Sequence, residues 1–334
     1  MSGVMQEAVQ SADVASESKP RRPDAQAGGV SPGLCARGRV LVPDPFLIAG
    51  IVNITPDSFS DGGVFQDPEN ALAHLRRIEA DGAHILDLGA ESTRPGADPV
   101  GVEEELRRLL PVLQGLCATR SAGAAGTPDA TGTSGALGTS GASGAVISVD
   151  TFRAATAAAA LEAGAEMIND ISGGVFDPKM AAVVAGYKAG YVLGHSPAPP
   201  KTMREHPRCA DVVETLVRHF EERMNVLVQA GLPEQCICLD PCIGFGKDLA
   251  DTAWIFQNIP RLAALGRPLY FGLSRKSFIG EATGLDVHAR GALSSVAAAL
   301  CAAGGVTIHR VHDVPGTVRA LALVRALYGR KPPA

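Results

Sequence analysis

Tyr270-Phe271-Gly272-Leu273-Ser274-Arg275-Lys276-Ser277-Phe278-Ile279-Gly280 opens as an apolar, aromatic run with the composition of a short buried strand. Its polar cluster, residues 274–277, falls where that strand must emerge. Two cations at the carboxyl end of a buried strand are costly to desolvate, so they are expected to face a cleft holding something anionic or rich in acceptors. One such end alone reads equally well as solvated chain. Seven further strand candidates, 47–53, 84–89, 145–150, 166–170, 190–195, 236–240 and 306–311, end in the same way.

Helical patterns follow each of them, the clearest at 68–81, 102–119, 152–163, 178–187, 211–230, 252–265, 286–303 and 315–328. Several stop at a glycine just past the last helical residue (Gly82, Gly164, Gly231, Gly266, Gly304), the usual C-cap device. Eight strands and eight helices in alternation predict an α/β fold, a single-domain (β/α)8 TIM barrel over residues 46–328. Without the insert described below that span is about 258 residues, near the ~250 typical of the fold. Alternation does not by itself demonstrate closure, and a doubly wound open sheet has the same rhythm.

Composition narrows the function classes. The 334 residues carry a net charge of −5 and no dense basic run, which argues against nucleic acid as a partner. No apolar run approaches the ~18 residues of a membrane helix, and the first residues lack a signal-peptide pattern. Seven cysteines without framework spacing point to a reducing, cytoplasmic setting. Residues 1–38 have almost no large apolar side chains and are expected to be a disordered leader. Residues 120–144, almost wholly Gly, Ala, Ser and Thr, are expected to be a flexible loop on the barrel face away from the chemistry.

In a barrel the carboxyl ends of all strands ring one mouth. That mouth would receive Asn53, the run Glu91-Ser92-Thr93-Arg94, Asp150, Asn169 with Asp170, His195, Asp240, residues 274–277, and Arg310 with His312. Each taken singly is ordinary turn chemistry. Together they predict a polar pocket of mixed charge. Residues 51–63 form a long first βα loop with Pro56 and Gly62-Gly63, as in a lid. Phe245, between Gly244 and Gly246, reads either as a clamp over a flat ligand or as a plug of the barrel top. Neither glycine pattern has dinucleotide-fingerprint spacing. Cys236, Cys238 and Cys242 raise a metal reading, but Cys236 and Cys238 are expected on one strand face, buried in packing.

The stretches 50–63, 87–97 (DLGAESTRPGA), 147–151 (ISVDT), 168–173 (INDISG), 239–248, 272–280 (GLSRKSFIG) and 310–314 (RVHDV) resemble dihydropteroate synthase, in order, over about residues 46–328. The resemblance implies a usually dimeric TIM barrel that condenses 6-hydroxymethyl-7,8-dihydropterin pyrophosphate with 4-aminobenzoate. By motif, Asp150, Asn169, Asp240 and Lys276 would hold the pterin. Asn53, Arg310 and His312 would grip the pyrophosphate, Asn53 as a ligand of a magnesium ion. Ser277 would meet the aminobenzoate carboxylate, and Thr93, Arg94, Pro95, Phe59 and Phe245 would close over it. Lys276, Arg94 and Asp240 are the residues implied to bear most directly on catalysis.

The physical logic agrees with that carry-over. An aminopyrimidinone edge presents N–H donors to carboxylates and an amide, and its acceptors take Lys276. Departures from the family pattern are Ala90 and Cys242, where glycine is usual, and 193–197 (LGHSP), where a methionine-rich stretch is usual. Gly194 is expected to leave a roomier pterin floor. A pterin-binding module of a corrinoid methyltransferase shares the barrel but lacks the paired 274–277 and 310–313 motifs, and an inactive paralogue of the synthase, with the changes at Gly194 and Ser196 as its only support, would keep the fold without the activity.

Overall fold

The structure, a computed structural model, describes residues 32–54, 68–124, 139–140, 144–205 and 209–328. Eight parallel strands follow the predicted positions closely: β3 (Leu47–Asn53), β4 (Ile85–Gly89), β6 (Val146–Asp150), β7 (Met167–Asp170), β8 (Gly190–Gly194), β9 (Ile237–Asp240), β10 (Tyr270–Gly272) and β11 (Ile308–Val311). They are ordered β10-β11-β3-β4-β6-β7-β8-β9, and a parallel bridge between Leu239 and Leu269 joins the last to the first. The sheet is therefore a closed barrel, which excludes the open alternative.

The helices are α1 (Pro68–Ala80), α2 (Val102–Ala124), α3 (Ala154–Glu162), α4 (Met180–Tyr187), α5 (Val212–Gln229), α6 (Leu249–Gln257), α7 (Ile259–Ala263), α8 (Ser277–Thr283), α9 (Gly291–Gly304) and α10 (Val314–Tyr328). They form the outer layer. Leu75, Leu109, Leu161, Val184, Phe220, Ile255 and Leu321 are buried against the outward-facing Ile48, Leu86, Ile147 and Ile168. Each such side chain, fully buried, is worth roughly 1.5–3 kcal/mol. Asp211 caps α5 by accepting from the amides of Val213 and Glu214, and Asp248 with Asp251 forms a capping box on α6.

Two helical spans differ from expectation. The single helix expected over 252–265 is two, α6 and α7, because Pro260 has no amide to continue the first. The seventh unit also holds an additional short helix, α8, which begins at Ser277 and takes in Phe278 and Ile279.

The base of the barrel departs from the expected leader and loop. Leu34–Ala36 (β1) and Arg39–Leu41 (β2) form an antiparallel hairpin whose turn residues Arg37 and Gly38 both have left-handed φ, 48° and 85°. Leu34, Ala36 and Leu41 join Leu47, Ile85, Val146, Met167, Val192, Tyr270 and Ile308 in one apolar cluster that closes the barrel floor. Order therefore begins inside the expected leader, and residues 1–31 lie outside the described residues.

Cations bolt this hairpin on. Arg37 donates to the carbonyls of Leu161 and Ala165 (2.7 and 2.9 Å), and Arg39 forks onto the Glu166 carboxylate. The insert is not loop throughout either. Arg120 lies in α2, pairs with Glu79 at 2.8 Å and donates to the Ala145 carbonyl, while Thr139–Ser140 (β5) pairs with β2. Residues 125–138 and 141–143 fall outside the described residues.

Candidate active site

Alternation along the strands builds the site. Residues two apart share a face, so the inward series runs Ile85, Asp87 on β4; Val146, Ser148, Asp150 on β6; Met167, Asn169 on β7; Cys238, Asp240 on β9; and Ile308, Arg310 on β11. In each the apolar residue belongs to the barrel-floor cluster and the polar ones lie above it. One rule thus places the floor at the amino ends and the chemistry at the carboxyl ends.

The resulting cleft, open to solvent, is lined by Thr93, Asp150, Asn169, Asp240, Phe245, Lys276 and Arg310, together with Ile171, Cys242 and Gly272. Seven of the expected substrate residues therefore share one cavity. Asn53 ends β3; a β-carbon on Gly89 would lie 3.7 Å from the Asn53 amide oxygen and 3.6 Å from Asp150 Cβ, so these two side chains converge at the mouth. Ser277 opens α8 and is exposed, as is Arg94, and Pro95 is half-buried beside it. Residues 55–63 of the expected lid-like loop, Phe59 among them, lie outside the described residues.

Arg310 is more engaged than the sequence indicated. Its Nε donates to Asp87 at 2.6 Å and its Nη2 to Asp150 at 2.7 Å. Asp87 also accepts from Ser148 Oγ and Asn169 Nδ2. Asp87 is fully buried and ties Arg310, Ser148 and Asn169 together. Sequence reading overlooked it because it lies within the apolar strand rather than at its end; the signal was a carboxylate at the same inward parity as Ile85. Burial opposes the Arg310 charge, but Asp87 and Asp150 outweigh it and raise its pKa. Burial pushes Asp150 up to about 7 against the pull of Arg310. The second oxygen of Asp150, Oδ1, is buried and meets no donor. Asp240 is raised to about 6, by burial first, while one of its oxygens accepts from the Cys242 amide.

Lys276 sits with its ammonium 4.0 Å over the Phe245 ring, a cation–π contact, and burial lowers its pKa to about 8 while Asp240 pulls it back. Lys247, which sequence reading left aside, is buried and donates to the carbonyls of His195 and Phe245, strapping the β9 loop to the β8 loop. His312 hydrogen-bonds Ser274 Oγ at 3.0 Å. Burial, with the charges of Arg310, Arg275, Arg94 and Lys276, drives its pKa down to about 3.

Other expected mouth residues serve the frame. Asp170 accepts from Ser172, the Gly174 amide and the Tyr191 hydroxyl, fixing the turn after β7. Glu91 pairs with Arg153 and accepts from the Val100 amide, while Arg153 reaches Glu105 at 3.1 Å, so the loop carrying Thr93–Pro95 is rooted in a buried ion network. Gly194 does not widen the floor: a β-carbon there would lie 2.6 Å from the Asp170 carbonyl oxygen and Ile171 Cα, so backbone already fills that space. Cys242 occupies a left-handed position, φ 50°, which explains why glycine suits it. Cys236 belongs to a 3-10 turn and packs among the helices, whereas Cys238 faces the barrel interior. They do not share a face, because the alternation begins only after Cys236.

A family model for pterin-binding enzymes matches residues 49–122 and 137–312. A dihydropteroate synthase of Neisseria meningitidis serogroup C is 42% identical over 285 residues, covering 84% of this chain and 92% of that protein. The chain belongs to the dihydropteroate synthase family. The synthase of Synechocystis is 38% identical over 84% of this chain and 90% of its own. Among solved structures, a Xanthomonas albilineans dihydropteroate synthase with 4-aminobenzoic acid superposes with a TM-score of 0.77 at 40% identity, covering 90% of this chain and all of that one. A Yersinia pestis dihydropteroate synthase with a sulfonamide drug gives 0.77 at 34%, covering 89% and 100%.

Proposed function

We infer that this chain is a dihydropteroate synthase, joining 6-hydroxymethyl-7,8-dihydropterin pyrophosphate to 4-aminobenzoate with loss of pyrophosphate, a transferase step of folate biosynthesis. The observation that carries the reading is the donor and acceptor array of the cleft. Asp150 with its unpartnered oxygen, Asn169 and Asp240 offer acceptors to an aminopyrimidinone edge, and Lys276 offers a donor between them. Phe245 supplies the flat apolar wall. Arg94 and the cations around His312 suit the leaving pyrophosphate.

The reaction needs positioning and neutralisation of the leaving group more than a nucleophile of the protein. Pyrophosphate departs from a CH2 on an electron-rich ring, the neutral arylamine attacks that carbon, and its proton is lost afterwards. Lys276 faces the junction of the two substrates. Asp150 and Asp240 must be ionised to receive the pterin N–H groups, and the donors of the ligand favour that form.

Magnesium fits the donor set. Among the described residues there is no cluster of three or more His, Cys, Asp or Glu placed to hold a metal. Asn53 at the mouth suits an ion that takes most of its oxygens from phosphate and water. When bound, it would supply positive charge to the departing pyrophosphate. A homodimer in the cytoplasm is the expected state. Val296, Leu300, Leu323, Leu327 and Tyr328, exposed on α9 and α10, support self-association, and no described helix is long and apolar enough to cross a membrane. Inhibition by sulfonamides is expected from the likeness to the Yersinia pestis enzyme.

Pyrophosphate release measured with and without 4-aminobenzoate tests the activity. Release that requires both substrates and magnesium is expected. Pterin binding without 4-aminobenzoate-dependent release would favour an inactive paralogue or a methyl-carrier module.

A further inference from the structure

Arg290 lies outside the cleft, at the end of the 3-10 turn Val287–Arg290 that leads into α9, yet its guanidinium points back at the turn that bears Lys276. Its Nε donates to the Leu285 carbonyl at 2.9 Å, and its Nη1 lies 3.4 and 3.3 Å from the carbonyl oxygens of Arg275 and Lys276. Ser294 completes the grip: its hydroxyl donates to the Arg290 carbonyl at 2.7 Å and accepts from the Arg275 amide at 3.0 Å. Arg275 has φ 58°, a left-handed conformation that a non-glycine residue keeps only when its surroundings hold it. Gly280 makes the room. A β-carbon there would fall 2.1 Å from Arg290 Nη2 and 2.5 Å from Cζ, so any side chain at 280 evicts the guanidinium.

We propose that Arg290 is a positioning residue of the synthase reaction: through the gap left by Gly280 it holds the carbonyls of residues 275 and 276, and so fixes the direction in which Lys276 leaves the chain. Lys276 is a long side chain with four rotatable bonds, aimed by its backbone anchor and by the Phe245 face on which its ammonium rests. A turn released from Arg290 lets the ammonium wander from the point where pterin and arylamine meet. The inference rests on the synthase reading above and adds a residue that touches neither substrate.

The test uses the full chain and the variants R290A, R290K, G280A and G280A/R290A, each checked for fold by circular dichroism and thermal midpoint. R290A is expected to lower kcat/KM about tenfold, with the KM of at least one substrate rising. Loss of folded molecules would instead lower apparent kcat alone and leave both KM values in place. R290K should recover part of the loss, since an ammonium reaches one carbonyl. G280A should match R290A, and the double variant should be no worse than either, because both remove one contact.

Should R290A fail to fold, G280A and R290K still decide. A folded R290A or G280A with kcat/KM within twofold of wild type, or losses that multiply in the double variant, would overturn the proposal. A wild-type chain that releases no pyrophosphate would overturn the activity reading and this inference with it. An active wild type beside an equally active R290A overturns this inference alone.

Discussion

Lys276 and Arg310 are both cations at strand ends, yet their surroundings give them different work. Arg310 is spent on two carboxylates inside the barrel, where a charged fork is hydrogen-bonded on two nitrogens. Removing it would leave Asp87 and Asp150 buried without the guanidinium that pairs with both, so its loss reports on the fold as much as on pyrophosphate. Among the described residues Lys276 has no carboxylate in contact; its ammonium rests on an aromatic face that a ligand can replace. Lys276→Ala should therefore keep the fold and lose function. With hydrogen bonds to charged groups worth roughly 1.5–3 kcal/mol, kcat/KM is expected to drop at least ~10-fold in steady-state assays at an unchanged thermal midpoint. Near-normal kcat/KM would assign the residue a structural role.

At the scale of elements, the β1–β2 hairpin and the βα loops divide the labour of the two barrel ends. The loops tie to one another at the mouth: the Gly96 amide donates to the Pro200 carbonyl at 2.7 Å, and Lys201 lies 3.1 Å from Asp98. The hairpin seals the other end, with Leu34 completely buried in the floor cluster. Leu34→Ala leaves a cavity that the closed barrel cannot collapse, so a stability loss of about 2–5 kcal/mol is expected in denaturant unfolding. Because the floor is a whole barrel length from Lys276, kcat of the folded fraction should not change. A loss under about 0.5 kcal/mol would mean that the hairpin is not part of the cooperative core.

For the whole molecule, buried histidines and buried carboxyls pull the acid side of stability in opposite directions. His309 is fully buried against Phe46, and burial lowers its pKa to about 4; His219 is lowered to about 4 likewise. An unfolded histidine titrates near 6.5. At these two histidines the unfolded chain therefore binds more protons than the folded one between pH 4 and 6.5, and their contribution to the unfolding free energy rises with pH across that window. Asp150 and Asp240 act in the opposite sense, since their raised pKa values let the folded chain take up protons first. A comparison isolates the histidine: between pH 4 and 6.5 the thermal midpoint of His309→Leu should gain less with rising pH than that of wild type. Parallel curves for the two proteins would show that His309 is not held neutral by its burial.

The chain's alternation of apolar strands and capped helices determined the eight βα units, because those periods follow from backbone geometry and are written locally. The polar residues at the strand ends were legible for the same reason, and so were Asp150, Asn169, Asp240 and Lys276 as one pocket. Closure was not, because it depends on a single pairing, Leu239 with Leu269, that no local pattern encodes. Asp87 was hidden by its apolar neighbours; only the barrel interior brings it under Arg310, 223 positions away in the chain. The hairpin floor was hidden by its composition, since three short apolar residues become a core only when a barrel presents an open end to them. Gly194 and Gly280 make the same point at single positions. A glycine's meaning is the atom that occupies its missing β-carbon, backbone in one case and the Arg290 guanidinium in the other, and only the tertiary structure puts that atom there.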